Sequence, residues 1–323
     1  MTLRVAVQMD PLESINIAGD SSFALMLSAQ ARGHEVFHYQ VDDLSLDAND
    51  RLIAQVRSVR VQRVEGDHLS AGEPQRLDLG RDIDVVLMRQ DPPFDIAYIT
   101  ATYLLERIAG ETLVVNDPRS VRDAPEKLFV LDFARFMPPT LVTRSLAELR
   151  AFHARHGEIV IKPLHGNAGA AVFRIGRDGT NMAALAELFG DVWREPYIAQ
   201  AFLPAVAEGD KRIVLVDGEV AGAINRKPPA GEIRSNLAAG GTAHATELTP
   251  REREICAALA PQLKARGLLF VGIDVIAGHL TEVNVTSPTG IVAIDAFNGT
   301  DTPAMIWDAI EARVAARASK PNR

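Results

Sequence analysis

The chain has 323 residues, 47% of them hydrophobic and 24% charged, with a formal net charge of −8. This composition describes a globular protein of two or three domains, and with no basic run or aromatic–basic stripe it argues against nucleic acid as a partner. A single cysteine, Cys256, excludes an intrachain disulfide framework, and no apolar run approaches the roughly 18 residues of a membrane span.

The N-terminal MTLRVAVQMDP has an apolar run too short for a signal peptide, so Leu3 to Met9 reads as a first strand and the protein as cytoplasmic. Ser21 or Ser22 caps a helix running to Arg32 and stopped by Gly33. Glu35–Tyr39 is the next strand, and the segment around Ser58–Val64 gives no assignable pattern. Ile83–Met88 is a strand, Ala97–Ala109 a helix and Thr112–Asn116 a strand. This alternation predicts an α/β domain with a doubly wound, mainly parallel sheet. Ligands of such sheets bind beyond the carboxyl ends of the strands. Arg89 stands at one such end as a candidate clamp for a substrate carboxylate, with an ordinary polar loop as the alternative. No G-x-G-x-x-G follows the first strand and no G-x-x-x-x-G-K-[ST] occurs, so neither a dinucleotide site nor a P-loop is supported.

A boundary falls near residues 117–125, punctuated by Asp117-Pro118 and Ala124-Pro125. Glu126–Arg135 follows as a short helix carrying Lys127, then the strand Thr140–Thr143. Ser145 and Glu148 form a capping box for a helix to His156. The strand Glu158–Pro163 carries Lys162 at its end and enters a small-residue loop, His165–Ala171, before the strand Val172–Ile175. Such a loop can bring backbone N–H groups to an anion, with Lys162 as a point charge; a plain hairpin loop is the other reading. Asn181–Phe189 is a helix and Tyr197–Leu203 a strand or hinge. Asp217-Gly218 is a type I′ signal turning a hairpin of Ile213–Val216 and Glu219–Ile224. Pro228–Ala243, glycine-bearing and without periodicity, reads as a lid. Thr249-Pro250-Arg251-Glu252 is a second capping box, opening a helix to Gly267 in which Cys256 reads as packing. Thr302-Pro303 starts a last helix to about Ala318.

Leu268–Pro288 reads as a hairpin with Asp274 on its first strand and Glu282 and Asn284 two apart on its second. A three-residue loop centred on Gly278 puts Asp274 opposite Glu282; a two-residue loop would turn Glu282 away. Two carboxylates and an amide oxygen on one face suit Mg²⁺, while a solvated polar stripe is the bland alternative. Together with Lys127, Lys162, the small loop, the hinge and the lid, they form a set that could hold a nucleoside triphosphate without a P-loop.

At this point the sequence resembles the bacterial-type glutathione synthetases of the ATP-grasp superfamily over nearly its whole length. MDP at Met9–Pro11, DSSFAL at Asp20–Leu25, MRQDPPFD at Met88–Asp95, EKLF at Glu126–Phe129, KPLHG at Lys162–Gly166 and GDKRI at Gly209–Ile213 carry the resemblance. The most specific segments are SNLAAGG at Ser235–Gly241, VGIDVI at Val271–Ile276 and TEVNVTSPTGI at Thr281–Ile291. The resemblance implies an N-terminal domain over 1–122, ATP-grasp subdomains over 123–203 and 204–318, and a tail over 319–323. It implies that Lys127, Lys162 and the loop with Gly166, Asn167 and Gly169 contact ATP phosphates. Gln200, Ala201, Phe202 and Leu203 would border the adenine, and Asp210 or Lys211 would lie near the ribose and phosphates. Asp274, Glu282 and Asn284 would bind Mg²⁺, with Mn²⁺ as an alternative. Arg226, Arg234 and Asn236 would face the dipeptide and the reacting phosphate, with Thr286, Ser287 and Thr289 seating the dipeptide.

The implied reaction is ATP-dependent ligation of glycine to γ-glutamylcysteine through an acyl phosphate. Its partners would be small molecules and, in the family's manner, further copies of the chain as a dimer or tetramer. Ala168, Thr242 and Val292-Ala293 depart from the expected pattern. They keep in view another carboxylate–amine ligase of the superfamily or an inactive nucleotide-binding homologue.

Overall fold

The computed structural model describes residues 1–167 and 169–319, so the departure at Ala168 and the tail beyond Ser319 lie outside the described residues. Three sheets organise the chain. The first contains β1 (Arg4–Gln8), β2 (Glu35–Tyr39), β3 (Leu44–Leu46), β4 (Leu52–Val61), β5 (Leu69–Asp78), β6 (Val85–Met88) and β7 (Leu113–Val115). Its order is β3-β4-β2-β1-β6-β7, with β5 on β4. The strands β2, β1, β6 and β7 pair in parallel, as the βα alternation predicts, and β3, β4 and β5 extend the sheet antiparallel. The unassigned stretch near Ser58 is thus half of a long β4–β5 hairpin. Most of β5 is exposed, so it shows no apolar stripe to read.

Helix Ser21–Ala31 is capped by Asp20, whose Oδ1 accepts from Phe23 N at 2.6 Å, and not by Ser21 or Ser22. An acid one residue earlier reaches the third N–H, and the two serines are buried and used elsewhere. Thr249 and Glu252 complete both arms of their capping box. Ser145 makes only one arm, because its own N–H donates to Thr143 Oγ1 at 2.9 Å.

The second sheet holds β8 (Thr140–Thr143), β9 (Ile159–Pro163), β10 (Phe173–Ile175) and β11 (Tyr197–Ala201) in the order β10-β9-β11-β8. The third holds β12 (Asp210–Val216), β13 (Glu219–Lys227), β14 (Thr242–Ala245), β15 (Phe270–Ile276) and β16 (His279–Asn284) in the order β14-β13-β12-β15-β16. The end of the expected lid therefore pairs as β14, where Thr242 lies opposite Lys227.

The first and third sheets share their apolar cores. One cluster runs from Tyr39 and Val86 to Ile273 and Val283, and another from Val7 and Leu87 to Val214 and Ile291. Asn116 locks them further, donating to the carbonyls of Phe270 and Val285 at 2.7 and 2.8 Å and accepting from Phe270 N at 2.8 Å. The second sheet keeps its own small core around Leu149, Ile161 and Phe189. A sheet with a separate core can stand off from its neighbours, and the large cleft lies where it faces the third sheet. Helix Ile291–Asn298 has no counterpart in the pattern read from the sequence. Val292 and Ala293, the departure noted there, pack on this helix against the shared core. Among the described residues, no helix is long and apolar enough to cross a membrane.

Candidate active site

The hairpin β15–β16 pairs Asp274 with Glu282, as the chemistry requires, by a different route from the one expected. The turn has two residues, Ala277 and Gly278, with φ of 47° and 75°, and Ile276 lies opposite His279. That register alone would turn Glu282 away from Asp274. A β-bulge restores it, with Thr281 as the extra residue, its Oγ1 donating to the Asp274 carbonyl at 3.1 Å.

The two carboxylates are held together by surrounding cations. Arg212 grips Asp274 with both prongs, Nε to Oδ1 at 2.6 Å and Nη2 to Oδ2 at 3.0 Å, and Arg226 Nη2 stands 3.0 Å from Oδ1. Burial alone would raise the Asp274 pKa; the guanidinium groups of Arg212 and Arg226 hold it well below the usual carboxylate range. From the opposing sheet, Lys162 Nζ reaches Glu282 Oε1 at 3.0 Å, and Lys127 Nζ lies 3.7 Å from the same oxygen. These ammonium groups likewise outweigh burial and depress Glu282. Both lysines are buried, at 4% and 7% exposure, so each is held near an anion or a carbonyl; Lys127 also donates to Gly166 O at 2.5 Å.

Around this cluster lies a cavity of about 340 Å³, within the range of small-molecule sites. Gly166, Asn167 and Gly169 line one wall beside Lys127 and Lys162, and Gln200, Ala201, Phe202 and Leu203 border an end. Arg226, Arg234 and Asn236 come in from the third sheet and the loop after it, with Thr286, Ser287 and Thr289 below them. Gly169 has φ of +76°, and a Cβ there would lie 2.8 Å from Asn236 Oδ1, so the small loop already touches the lid.

Two predicted residues are not in the wall. Lys211 points away, donating to Glu252 Oε2 and the Glu247 carbonyl, both at 2.8 Å. Alternation along β12 dictates this: Asp210 and Arg212 share the cleft face and Lys211 takes the other. Arg89 lies behind the cavity, 5% exposed, with Nε donating to Ser22 Oγ and Nη2 to the Pro288 carbonyl, each at 2.9 Å. It braces the loop after β16, and among the described residues its Nη1 is buried without a partner. Ser21 Oγ supports the same loop by accepting from Gly290 N at 3.2 Å.

Arg212 and Glu126 line the cavity and escaped the sequence reading. The period-two face shared with Asp210 could have found Arg212. A Cβ at Gly272 would come within 3.2 Å of Arg212 Cδ, so the glycine makes room for this side chain. Glu126 accepts from Thr286 Oγ1 at 3.2 Å, and burial pushes its carboxyl up to about 7. Burial also raises Asp210, to about 6, against the pull of Arg226. Asp210 Oδ2 takes Arg226 Nη2 at 2.7 Å and Ser235 Oγ at 2.8 Å, while Asp210 Oδ1 and Arg226 Nε are buried without partners among the described residues. Such orphaned atoms at a cavity wall are ready partners for a ligand.

The raised Glu126 has a measurable consequence. A carboxyl with a folded pKa above its unfolded value favours the folded state below the ordinary carboxylate range and loses that contribution as pH rises through about 7. Glu126→Gln keeps the acceptor for Thr286 but cannot ionise. Thermal melts should show the variant gaining on the native protein between pH 5 and pH 8. A difference that does not change with pH would mean Glu126 titrates normally.

Among the described residues no three His, Cys, Asp or Glu side chains gather closely enough for a metal. The candidate set is two carboxylates and an amide, all oxygen donors. Asn284 uses its nitrogen toward Asp274 Oδ2 at 3.5 Å, which leaves its oxygen to accept. This suits a hard divalent ion that completes its shell with water and phosphate oxygens.

A lysine-bearing four-stranded sheet closing over an acid-bearing antiparallel sheet defines an ATP-grasp ligase fold. The crystal structure of D-cycloserine synthetase DcsG superposes with a TM-score of 0.69 at 18% identity, covering 96% of this chain and 99% of that one. The ATP-grasp ligase PsnB, solved with a precursor variant, Mg and ADP, follows with a TM-score of 0.59 at 19% identity, covering 97% and 98%. The chain belongs to the prokaryotic glutathione synthetase family: its N-terminal domain model matches residues 3–122 and its ATP-grasp domain model residues 126–299. Among its relatives, the glutathione synthetase of Rhodopseudomonas palustris is 61% identical over 97% of this chain and 99% of its own. That of Bradyrhizobium diazoefficiens is 58% identical over 96% and 98%.

Proposed function

We propose that this protein joins glycine to γ-glutamylcysteine in an ATP-driven ligation that releases ADP and phosphate and forms glutathione. The observation that carries the reading is the cavity in which Lys127 from helix Glu126–Phe129 and Lys162 from the second sheet meet Asp274, Glu282 and Asn284 from the third. Full-length relatedness to glutathione synthetases supports the choice of substrates. We read 1–122 as the N-terminal domain and 123–203 and 204–318 as the two ATP-grasp subdomains, a reading that the presence of three sheets supports.

In this reading Lys127, Lys162 and the backbone of Gly166, Asn167 and Gly169 take the ATP phosphates, and Gln200 to Leu203 border the adenine. Asp210, with one oxygen unpartnered, faces the nucleotide's polar groups. Asp274, Glu282 and Asn284 would hold Mg²⁺, or Mn²⁺ in its place, which when bound neutralises charge on the phosphates and polarises the γ-phosphoryl group. Arg226, Arg234 and Asn236 stabilise the negative charge that spreads over the transferring phosphoryl, and Arg212 keeps Asp274 ionised and fixed. Thr286, Ser287 and Thr289 seat the dipeptide, with Arg89 bracing their loop from behind. The cysteinyl carboxylate attacks the γ-phosphorus, ADP leaves, and the glycine amine displaces phosphate from the acyl carbon. The lid around Arg234–Gly241 excludes water from the acyl phosphate.

We place the protein in the cytoplasm, in keeping with its lone cysteine, and read it as a homo-oligomer, dimer or tetramer. Ile96 and Tyr103, 75% and 56% exposed on helix Ile96–Glu106, support the assembly. The test of function is ADP release from Mg-ATP and γ-glutamylcysteine with and without glycine. Glycine-dependent release with glutathione as product is expected. Release that needs a different amine, or none, would overturn the reading.

A further inference from the structure

The proposed reaction leaves one chemical requirement without a residue. The acceptor amine arrives as an ammonium ion at neutral pH, and it has a lone pair for the acyl carbon only after losing a proton. Among the described residues, Asp91, Glu126, Asp210, Asp274 and Glu282 are the carboxylates lining the cavity. Three are committed: Asp210 to Arg226, Asp274 to Arg212 and Arg226, and Glu282 to Lys162 and Lys127. A carboxylate held by a guanidinium or ammonium group is a weak proton acceptor. Asp91 stands at the cavity edge with much of its surface exposed; partial burial raises its carboxyl, but the Arg89 guanidinium pulls the other way, as the cations do at the three committed carboxylates.

Glu126 differs from all of these. It is half-buried in the cavity wall, among the described residues it forms no ion pair, and its hydrogen bond is the one accepted from Thr286. It also lines a small side pocket of about 10 Å³, close to the volume one water takes, shared with His165, whose Nδ1 is buried and has no partner among the described residues. Glu126 and this imidazole nitrogen thus share a pocket beside the main cavity.

We infer that Glu126 is the catalytic base that takes the proton from the acceptor's ammonium group. An N–H bond breaks and an O–H bond forms on the Glu126 carboxylate. The freed electron pair on nitrogen forms the C–N bond, the C–O bond to phosphate breaks with its electron pair leaving on phosphate, and the second proton, shed by nitrogen as the amide forms, goes to that departing phosphate oxygen. A base for this step belongs near neutrality, and the elevated Glu126 carboxyl meets that need.

The inference rests on the proposed ligation, so the two must be separable. Hydroxylamine, largely unprotonated at neutral pH, can trap the acyl phosphate as a hydroxamate without a base. With native protein, glycine-dependent ADP release reports on the ligation itself. Glu126→Gln is expected to lower kcat with glycine about a hundredfold or more while hydroxamate formation stays near the native rate. Glu126→Asp should retain more of the glycine rate than the glutamine variant. Equal losses with both acceptors in a variant that melts normally, or an unchanged glycine rate, would overturn the assignment. Should the glutamine variant not fold, the same two-acceptor comparison is made with Glu126→Asp, where a glycine-selective loss supports the base and none refutes it.

Discussion

Replacing Asp274 with Asn and Glu282 with Gln together is expected to cut glycine-dependent ADP release about a thousandfold or more, because charge neutralisation at a transferring phosphoryl is worth several kcal/mol. The two side chains face each other across β15 and β16 and sit among Arg212, Arg226, Lys127 and Lys162. In the free protein these cations occupy the carboxylates that a metal ion would take over, while the lysines stand ready for phosphate. Without the carboxylates the four cations are left to one another, so ATP binding is expected to persist but lose its dependence on Mg²⁺. Isothermal titration of ATP with and without Mg²⁺, alongside the ADP assay, checks both points. Turnover within tenfold of native would place the metal elsewhere.

Arg212→Met is expected to destabilise the fold by about 3–5 kcal/mol, the usual cost of removing one member of a buried ion pair. Its guanidinium and the Asp274 carboxylate are 8% and 4% exposed, joined by two short hydrogen bonds. Asp274 is held ionised by that contact and by Arg226, so its contribution is present at neutral pH and lost only as pH falls below the ordinary carboxylate range. The double variant Arg212→Met/Asp274→Leu should recover much of the loss, since no buried charge is then stranded beside an apolar group. Urea unfolding of the two singles and the double measures this. A single variant within about 1 kcal/mol of native would show that the pair is effectively solvated.

The parts of this architecture that were legible in the sequence are those with a local physical signature. The βα alternation announced the parallel strands, Asp217-Gly218 the β12–β13 turn with its left-handed φ values, and Thr249 with Glu252 the start of helix Pro250–Ala265. What was hidden depends on non-local partners. The pairing of Asp274 with Glu282 needs a bulge at Thr281 that no turn rule specifies, since hairpin length alone gives the wrong face. Arg212 reads as one more surface charge until Asp274 is seen opposite it and Gly272 beneath its side chain. Glu126 has an ordinary appearance at the start of a short helix, and only Thr286, distant in sequence, and the cavity reveal its setting. Arg89 was legible as a strand-end arginine, but its partners Ser22 and Pro288 come from distant segments and turn it to bracing.

The measurement that bears most directly on the account is the fate of the carboxylate oxygen. With γ-glutamylcysteine carrying ¹⁸O in its cysteinyl carboxylate, turnover with Mg-ATP and glycine should transfer one label to each phosphate released, read by the isotope shift in ³¹P NMR. Retention of all the label in the peptide product would mean that no acyl phosphate forms in this cleft, and would contradict the mechanism built on it.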